Sequence, residues 1–508
     1  MVSNAVEFLE EACRRFPNKI GIDDAASKYT FAELKKAALI LDSEIDESLL
    51  RQPILVLLPK SCKNIIAYMG ILYSGNFYVP LDEKMPSDRL KVILTHFSDV
   101  HIVLNKTVLE QHSFLINQPN VTLYDIDEIL SRGTVPSEGT SRYQNVLDGD
   151  PLYIKFTSGS TGVPKGVVVS HRSVIEYTEW VENFFQIDES QVIGNQTPFC
   201  FDMSVLDIYL SLKTGSTLKI IPEMYFAFPI KLVEYMNQEK ISLIFWVPTA
   251  MANLVSSKLL ERINPENMKK VLFCGEPMPV KCVQAWRAHF RNAIFSNLYG
   301  PTEATVSAMY FNVERNFSED ESLPIGFARS NSEVLILDTE NHLVTNGEVG
   351  ELCLRGNLLA LGYWNDPEKT NAVFVQNPLV KSYQDKIYRT GDLAYKNKLG
   401  EIVLVGRKDH QIKHLGYRID LGEIETAASA LPYIDNTCCL YDLKNKAIVL
   451  FYESKSADFD ENRMRIDLAR KIPKYMIPGR YVRLEMFPLN TSTKIDRVRL
   501  KNEYLGAI

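Results

Sequence analysis

Short uninterrupted apolar runs alternate along this chain with longer segments whose apolar residues return every three or four positions. Ile54-Leu-Val-Leu-Leu58 and His101-Ile-Val-Leu104 have the length and branching of buried strands, and residues 62–74 between them carry a helical pattern. A strand apolar at every position is covered on both faces, which requires helices packed on either side of a mostly parallel sheet. The rhythm continues to about residue 400, so the expected fold class is α/β. At the start, Val2, Ala5, Val6, Phe8, Leu9, Ala12 and Cys13 share one face of a helix over residues 1–16, and Glu7, Glu10 and Glu11 exclude a signal peptide there. From about His410 the pattern restarts on a smaller scale, with helices expected at 421–430 and 464–471, a strand at 447–452 and a charged turn at 454–462. The expected division is a large core of α/β subdomains over 1–409 and a small α+β domain over 410–508.

Residues 132–149 form a polar stretch, rich in Gly, Ser and Thr, ahead of the chain's most informative segment, Thr157-Ser-Gly-Ser-Thr-Gly-Val-Pro-Lys-Gly166. Apolar residues on both sides (Leu152, Tyr153, Ile154 and Phe156 before it, Val167, Val168 and Val169 after it) predict a loop between two buried strands. Glycine opens backbone angles closed to other residues, so amides around Gly159 can converge on phosphate oxygens. Thr157, Ser158, Ser160 and Thr161 add hydroxyl donors and Lys165 adds a cation. The motif is not a Walker loop, which requires Gly before its Lys and Ser or Thr after it; here Pro164 precedes Lys165 and Gly166 follows. A clamp for the triphosphate of ATP is the expectation.

Composition narrows the classes. A chain of 508 residues with 46% hydrophobic content exceeds what one core supports, so several subdomains are expected. A formal net charge of -7 argues against nucleic acid as a partner. Eight cysteines without a C-x-x-C pair suit a reduced cytosol rather than a disulfide framework or a zinc site. No apolar run has the length of a membrane span, so a soluble, cytoplasmic protein is expected.

Further motifs follow the loop in a recognisable order: Phe201-Asp-Met-Ser204, Asn297-Leu-Tyr-Gly-Pro-Thr-Glu-Ala-Thr305, Gly350-Glu-Leu-Cys-Leu-Arg-Gly356, Tyr388-Arg-Thr-Gly-Asp-Leu393, Gly406-Arg-Lys-Asp409, and Asn490 with Lys494-Ile-Asp-Arg497. Together with Tyr29-Thr-Phe-Ala-Glu-Leu34 and Tyr78-Val-Pro-Leu-Asp82 they span almost the whole chain. In this set the chain resembles the adenylate-forming (ANL) superfamily of acyl-CoA ligases, luciferases and nonribosomal-peptide adenylation domains. The local pattern is most similar to free-standing ligases that load an amino acid onto a carrier protein. The resemblance implies the ANL fold, with a mobile C-terminal domain. It implies that Lys494 bridges carboxylate and α-phosphate during adenylation, and that Glu303 holds Mg2+. Tyr299 would stack on adenine and Asn297 bond its amino group, with Gly300 and Thr302 in the same nucleotide loop. Asp392 and Arg407 would contact the ribose, Asp409 would be the hinge, and residues 411–425 would line the path of a thiol. Thr493, Asp420 and Gly422 depart from the family's pattern. Such chemistry is mostly alignment and neutralisation of phosphate charge, so it calls for cations rather than a general base.

The acid to be activated is read from the same resemblance. Asp202 matches the aspartate that holds the α-ammonium in amino-acid-activating members, and a carboxylate withdrawn from water demands a cation. An acyl-CoA ligase, the alternative, should lack it. The pocket pattern falls on Asp202, Met203, Leu206, Trp246, Leu272, Cys274, Leu298, Val306, Ser307 and Lys494, an apolar lining apart from Ser307. Two small substrates fit. Cys274 and the 201–209 segment resemble D-alanine ligases, whereas Trp246, Leu298 and Val306 look more like proline ligases, and L-proline is favoured. The partner is expected to be a separate phosphopantetheinylated carrier protein.

Overall fold

A computed structural model describes residues 2–133, 142–159, 163–318, 321–409, 411–454, 456, 460–488 and 495–505. The chain packs into two compact units. One comprises residues 1–83, 98–156 and 166–408; the other comprises 84–97, 157–165 and 409–508.

The first unit is α/β, as its apolar rhythm requires. Its nine-stranded sheet has the order Phe327–Ala328, Met309–Asn312, Ile294–Tyr299, Lys270–Phe273, Leu243–Trp246, Val192–Asn195, Thr217–Ile220, Ile20–Asp23, Lys28–Thr30. The inner strands run parallel and the edges antiparallel. From Val192–Asn195 the chain moves to Thr217–Ile220 on one side and then crosses back to Leu243–Trp246 on the other. That reversal opens a crevice at the carboxyl ends of the strands, where α/β sheets bind ligands. A seven-stranded sheet contains Pro53–Leu57 between Phe77–Leu81 and Val100–Leu104, all parallel, with Pro151–Thr157 beyond. The expected helix at 62–74 is Cys62–Tyr73, opened by a Ser61/Asn64 capping box and buried at nearly every position.

Residues 332–407 depart from the parallel expectation. Ser332–Leu337, Gly350–Gly356, Phe374–Gln376, Lys386–Lys396 and Ile402–Arg407 form an antiparallel five-stranded sheet. Along Lys386–Lys396 buried and half-exposed residues largely alternate, the mark of a sheet covered on one face. In the second unit, Ile419, Leu421, Ile424, Leu450, Met464, Leu468 and Met476 form a core of their own. The helix expected at 464–471 begins earlier, at Glu461–Ala469, because the Asp460 side chain accepts from the Arg463 amide and caps it.

Candidate active site

Three parallel strands end side by side at the crevice, and the residues that follow them carry most of the expected site. Ile294–Tyr299 delivers Asn297, Leu298 and Tyr299, after which Gly300 turns the chain tightly. A Cβ on Gly300 would stand 2.6 Å from the Ser307 Cα and 2.7 Å from the Val306 carbonyl oxygen, so only glycine fits. The chain then passes through Thr302–Ala304, a single 3-10 turn, into Thr305 and Val306. These two β-branched residues take φ of 47° and 66°. Left-handed backbone at β-branched residues is strained, and such strain gathers where a ligand is gripped. The Thr305 hydroxyl holds the turn by donating to the Leu358 carbonyl at 2.7 Å.

On this loop Glu303 is fully buried, and its Oε1 accepts from the Tyr363 hydroxyl at 2.8 Å. Among the described residues no group of three or more metal-ligating acids, His or Cys forms. Mg2+ needs none, because it takes few protein oxygens beside phosphate oxygens and water, so a single buried carboxylate fits it.

Tyr299, Asp392 and Arg407 come together in one network. The Tyr299 hydroxyl donates to Asp392 Oδ2, and Arg407 Nη1 donates to Asp392 Oδ1 at 2.6 Å. Arg407 Nη2 also donates to the Thr390 carbonyl at 3.1 Å. Burial beside the Asp392 carboxylate pushes the Tyr299 hydroxyl well above its ordinary pKa, so it stays a donor. Asn297 Nδ2 donates to the Pro324 carbonyl at 2.8 Å.

The amine-binding candidate sits at the start of the helix Met203–Thr214. Asp202 is half-buried at the N-cap position, and its side chain makes no capping hydrogen bond. Its carboxylate is therefore not consumed by the helix it introduces. Met203, Leu206, Leu272, Cys274, Leu298, Val306 and Ser307 are all buried. The Ser307 hydroxyl donates to the Tyr177 hydroxyl at 3.1 Å, and electrostatic influence from Cys274 and Asp202 also reaches Tyr177.

Strand register separates Trp246 from the other expected pocket residues on these strands. Phe245 pairs with Leu272 and Leu272 with Ser296, whereas Trp246 pairs with Phe273 and Phe273 with Asn297. Paired residues share a face and alternate residues return to it, so Phe245, Leu272, Cys274 and Leu298 look one way and Trp246 the other. Trp246 instead packs its ring 5.2 Å from Phe226 and donates Nε1–H to the Gly194 carbonyl at 2.7 Å. Phe245 is the aromatic residue that shares the face of Leu272 and Leu298. Its signal was present in the sequence as the offset of one position between two adjacent aromatics. Tyr177 and Tyr363 were also missed, since only the folded chain brings them to Ser307 and Glu303.

The loop over 157–165 belongs to the second unit. Ser158 Oγ donates to the Arg418 carbonyl at 2.9 Å and accepts from the Asp420 amide at 3.1 Å. Asp420 caps the helix Leu421–Ser429 by accepting from Gly422, which gives both departures at 420 and 422 a local role. Glu423 is buried against Arg89, and burial raises its pKa. Asp409 Oδ1 accepts from the Gln411 amide at 3.2 Å. Thr157 and Gly159 lie in the described part of the loop and Lys165 begins the strand that follows; Ser160, Thr161 and Lys494 lie outside the described residues.

Comparison with known proteins gives the family and the fold. A family model described as "AMP-binding enzyme" matches residues 9–364. The "D-alanine--D-alanyl carrier protein ligase" of Lacticaseibacillus rhamnosus is 31% identical over 523 residues, covering 98% of this chain and 99% of its own. "Bacitracin synthase 1" of Bacillus licheniformis is 32% identical over 97% of this chain, which spans only 9% of that much longer protein. Among solved structures, a Vibrio cholerae adenylation domain, AlmE, bound to glycyl-adenosine-5'-phosphate superposes with a TM-score of 0.82 at 21% identity, covering 99% of this chain and 98% of that one. That likeness establishes the fold.

Proposed function

The chain belongs to the AMP-binding enzyme family, and from that premise we propose that it activates a small amino acid with ATP and passes the aminoacyl group to the phosphopantetheine thiol of a separate carrier protein. The observation that supports the amino-acid reading is Asp202, a half-buried carboxylate whose side chain does not cap the helix it precedes. An α-ammonium there would find a counter-charge, whereas a fatty or aryl acid would bring no cation to it.

In this reading the Tyr299–Asp392–Arg407 network receives adenosine, with Asn297 offering Oδ1 to the adenine amino group. Residues 157–165, with Lys165, hold the phosphates, and Lys494 draws the amino acid's carboxylate against the α-phosphorus. The carboxylate oxygen attacks, pyrophosphate leaves, and a mixed anhydride remains. Mg2+ held through Glu303 would supply neutralisation of phosphate charge. Residues 410–508 act as the mobile domain, turning at Asp409, because Lys494 must withdraw before a thiol can enter.

L-Proline is the proposed substrate. Phe245 takes the aromatic place first expected of Trp246, and with Leu272, Leu298 and Val306 it makes an apolar wall suited to a compact ring. D-Alanine is the second reading, favoured by Cys274 and by relatives of matching length that bear that name. The test is intact-mass analysis of mature carrier protein after incubation with enzyme, ATP and each of L-proline, D-alanine and L-alanine. A prolyl adduct formed fastest is expected. A D-alanyl adduct formed faster would transfer the assignment, and no adduct with any amino acid would remove the carrier-loading proposal.

A further inference from the structure

A charged residue lies in the middle of an otherwise apolar strand. In Pro151–Thr157 the side chains of Leu152, Tyr153 and Ile154 are fully buried, and Lys155 beside them is 2% exposed. Removing an ammonium from water is costly unless its donors find acceptors, and a lysine here breaks the local rule that a covered strand is apolar. Its partners show what offsets the cost. Nζ donates to the Phe199 carbonyl at 3.1 Å, to the Phe201 carbonyl, and to Ser204 Oγ at 3.1 Å. An ammonium has three donors, and these partners match them. The Ser204 hydroxyl in turn donates to the Phe201 carbonyl at 2.6 Å.

The three acceptors bracket Asp202. Two lie in the turn before it and the third, a side-chain hydroxyl, lies two residues beyond, so the ammonium ties down the chain on both sides of the carboxylate. All three are neutral, while the field of Asp202 reaches the ammonium. Burial lowers the Lys155 pKa to about 8, and Asp202 and Cys200 act against that shift. A hydrophobic residue would fill the same space in the strand without fixing that turn.

We infer that Lys155 is a positioning residue for amino-acid recognition: its buried ammonium sets the place of the Asp202 carboxylate and offsets its charge until the substrate's ammonium arrives. The inference rests on the reading of Asp202 as the amine-binding group. It differs in kind from that reading, because Lys155 acts through the 199–204 turn, where its ammonium meets Phe199, Phe201 and Ser204.

The experiment is steady-state pyrophosphate exchange with Lys155→Met, which keeps the length of the stem and removes the donors and the charge. The expected result is a rise in amino-acid KM of tenfold or more, with ATP KM changed less than twofold. A merely structural role would lower kcat through loss of folded enzyme and leave both KM values alone, and that outcome overturns the inference. Should Lys155→Met fail to fold, Ser204→Ala deletes one acceptor of the same clamp, and a threefold rise confined to amino-acid KM is expected; an unchanged KM there also overturns it. If the wild-type enzyme shows no amino-acid-dependent exchange, the reading of Asp202 has failed. If it shows exchange and both variants keep the wild-type KM, only the role of Lys155 has.

Discussion

Asp202 and Asp207 lie less than two turns apart on the chain and have opposite fates. Asp202 stands half-buried ahead of its helix, and Asp202→Ala is expected to cut kcat/KM for the amino acid at least ~100-fold, or about 3 kcal/mol, by removing the partner of a charged amine. ATP binding should be unchanged, measured by nucleotide titration. Asp207 is fully buried, and burial pushes its carboxyl up to about 7, against the Asn195 amide that donates to it at 2.7 Å. An unfolded aspartate titrates near ~3.9, so between about pH 4 and 7 the native state holds a proton the unfolded chain has lost. Its contribution to stability is present below about pH 4 and lost as pH rises through 7. Asp207 Oδ1 and Asn195 Oδ1 are both buried acceptors without a hydrogen-bond partner among the described residues. Asp207→Asn should therefore stabilise the fold at pH 8 by about 1 to 4 kcal/mol and flatten the slope between pH 4 and 7, read by urea unfolding across that range. Cys274 and Asp202 were legible in the sequence because short motifs carry them. The partners of Lys155 were not, since it meets carbonyls more than 40 residues away along the chain.

At the scale of elements, the strand Leu243–Trp246 shows where sequence reading reaches its end. A strand buried on both faces has no alternation, so nothing in Leu-Ile-Phe-Trp reveals which aromatic faces the pocket. Pairing with Lys270–Phe273 decides it, and pairing is a property of the sheet. Phe245→Ala is expected to widen substrate choice toward larger apolar amino acids with little change in ATP KM, as seen across a panel of side-chain sizes. Trp246→Phe should leave that preference alone and cost about 1 to 3 kcal/mol of stability, because the buried Gly194 carbonyl loses its indole donor. A reversed pattern would return Trp246 to the pocket. The parallel strands and the helix Cys62–Tyr73 were readable from apolar runs. The antiparallel sheet over 332–407 was not, because strand pairing sets its direction and the short helix Pro367–Val373 between two of its strands keeps the strand–helix rhythm of the parallel part.

For the molecule as a whole, the compact second unit draws in residues 84–97 and 157–165 from the N-terminal part of the sequence. That grouping, with the Ser158 hydroxyl bonded to Arg418 and Asp420, was beyond a linear reading that divided the chain once at residue 409. Under the two-step proposal, Lys494→Ala should abolish adenylate formation and leave transfer from a supplied aminoacyl adenylate within about threefold of wild type, measured as separate half-reactions. Equal loss of both would count against separate poses.

Recognition of the substrate through its amine is what distinguishes this enzyme from ligases of simple carboxylic acids. The most direct measurement is ATP–pyrophosphate exchange with L-proline and D-alanine beside their amine-free counterparts, cyclopentanecarboxylate and propionate. Exchange with at least one amino acid and at least ~100-fold less with its counterpart is predicted, in line with the loss of a charged partner at Asp202. Equal exchange with the amine-free acid would contradict the account and place the chain among ligases of simple carboxylic acids.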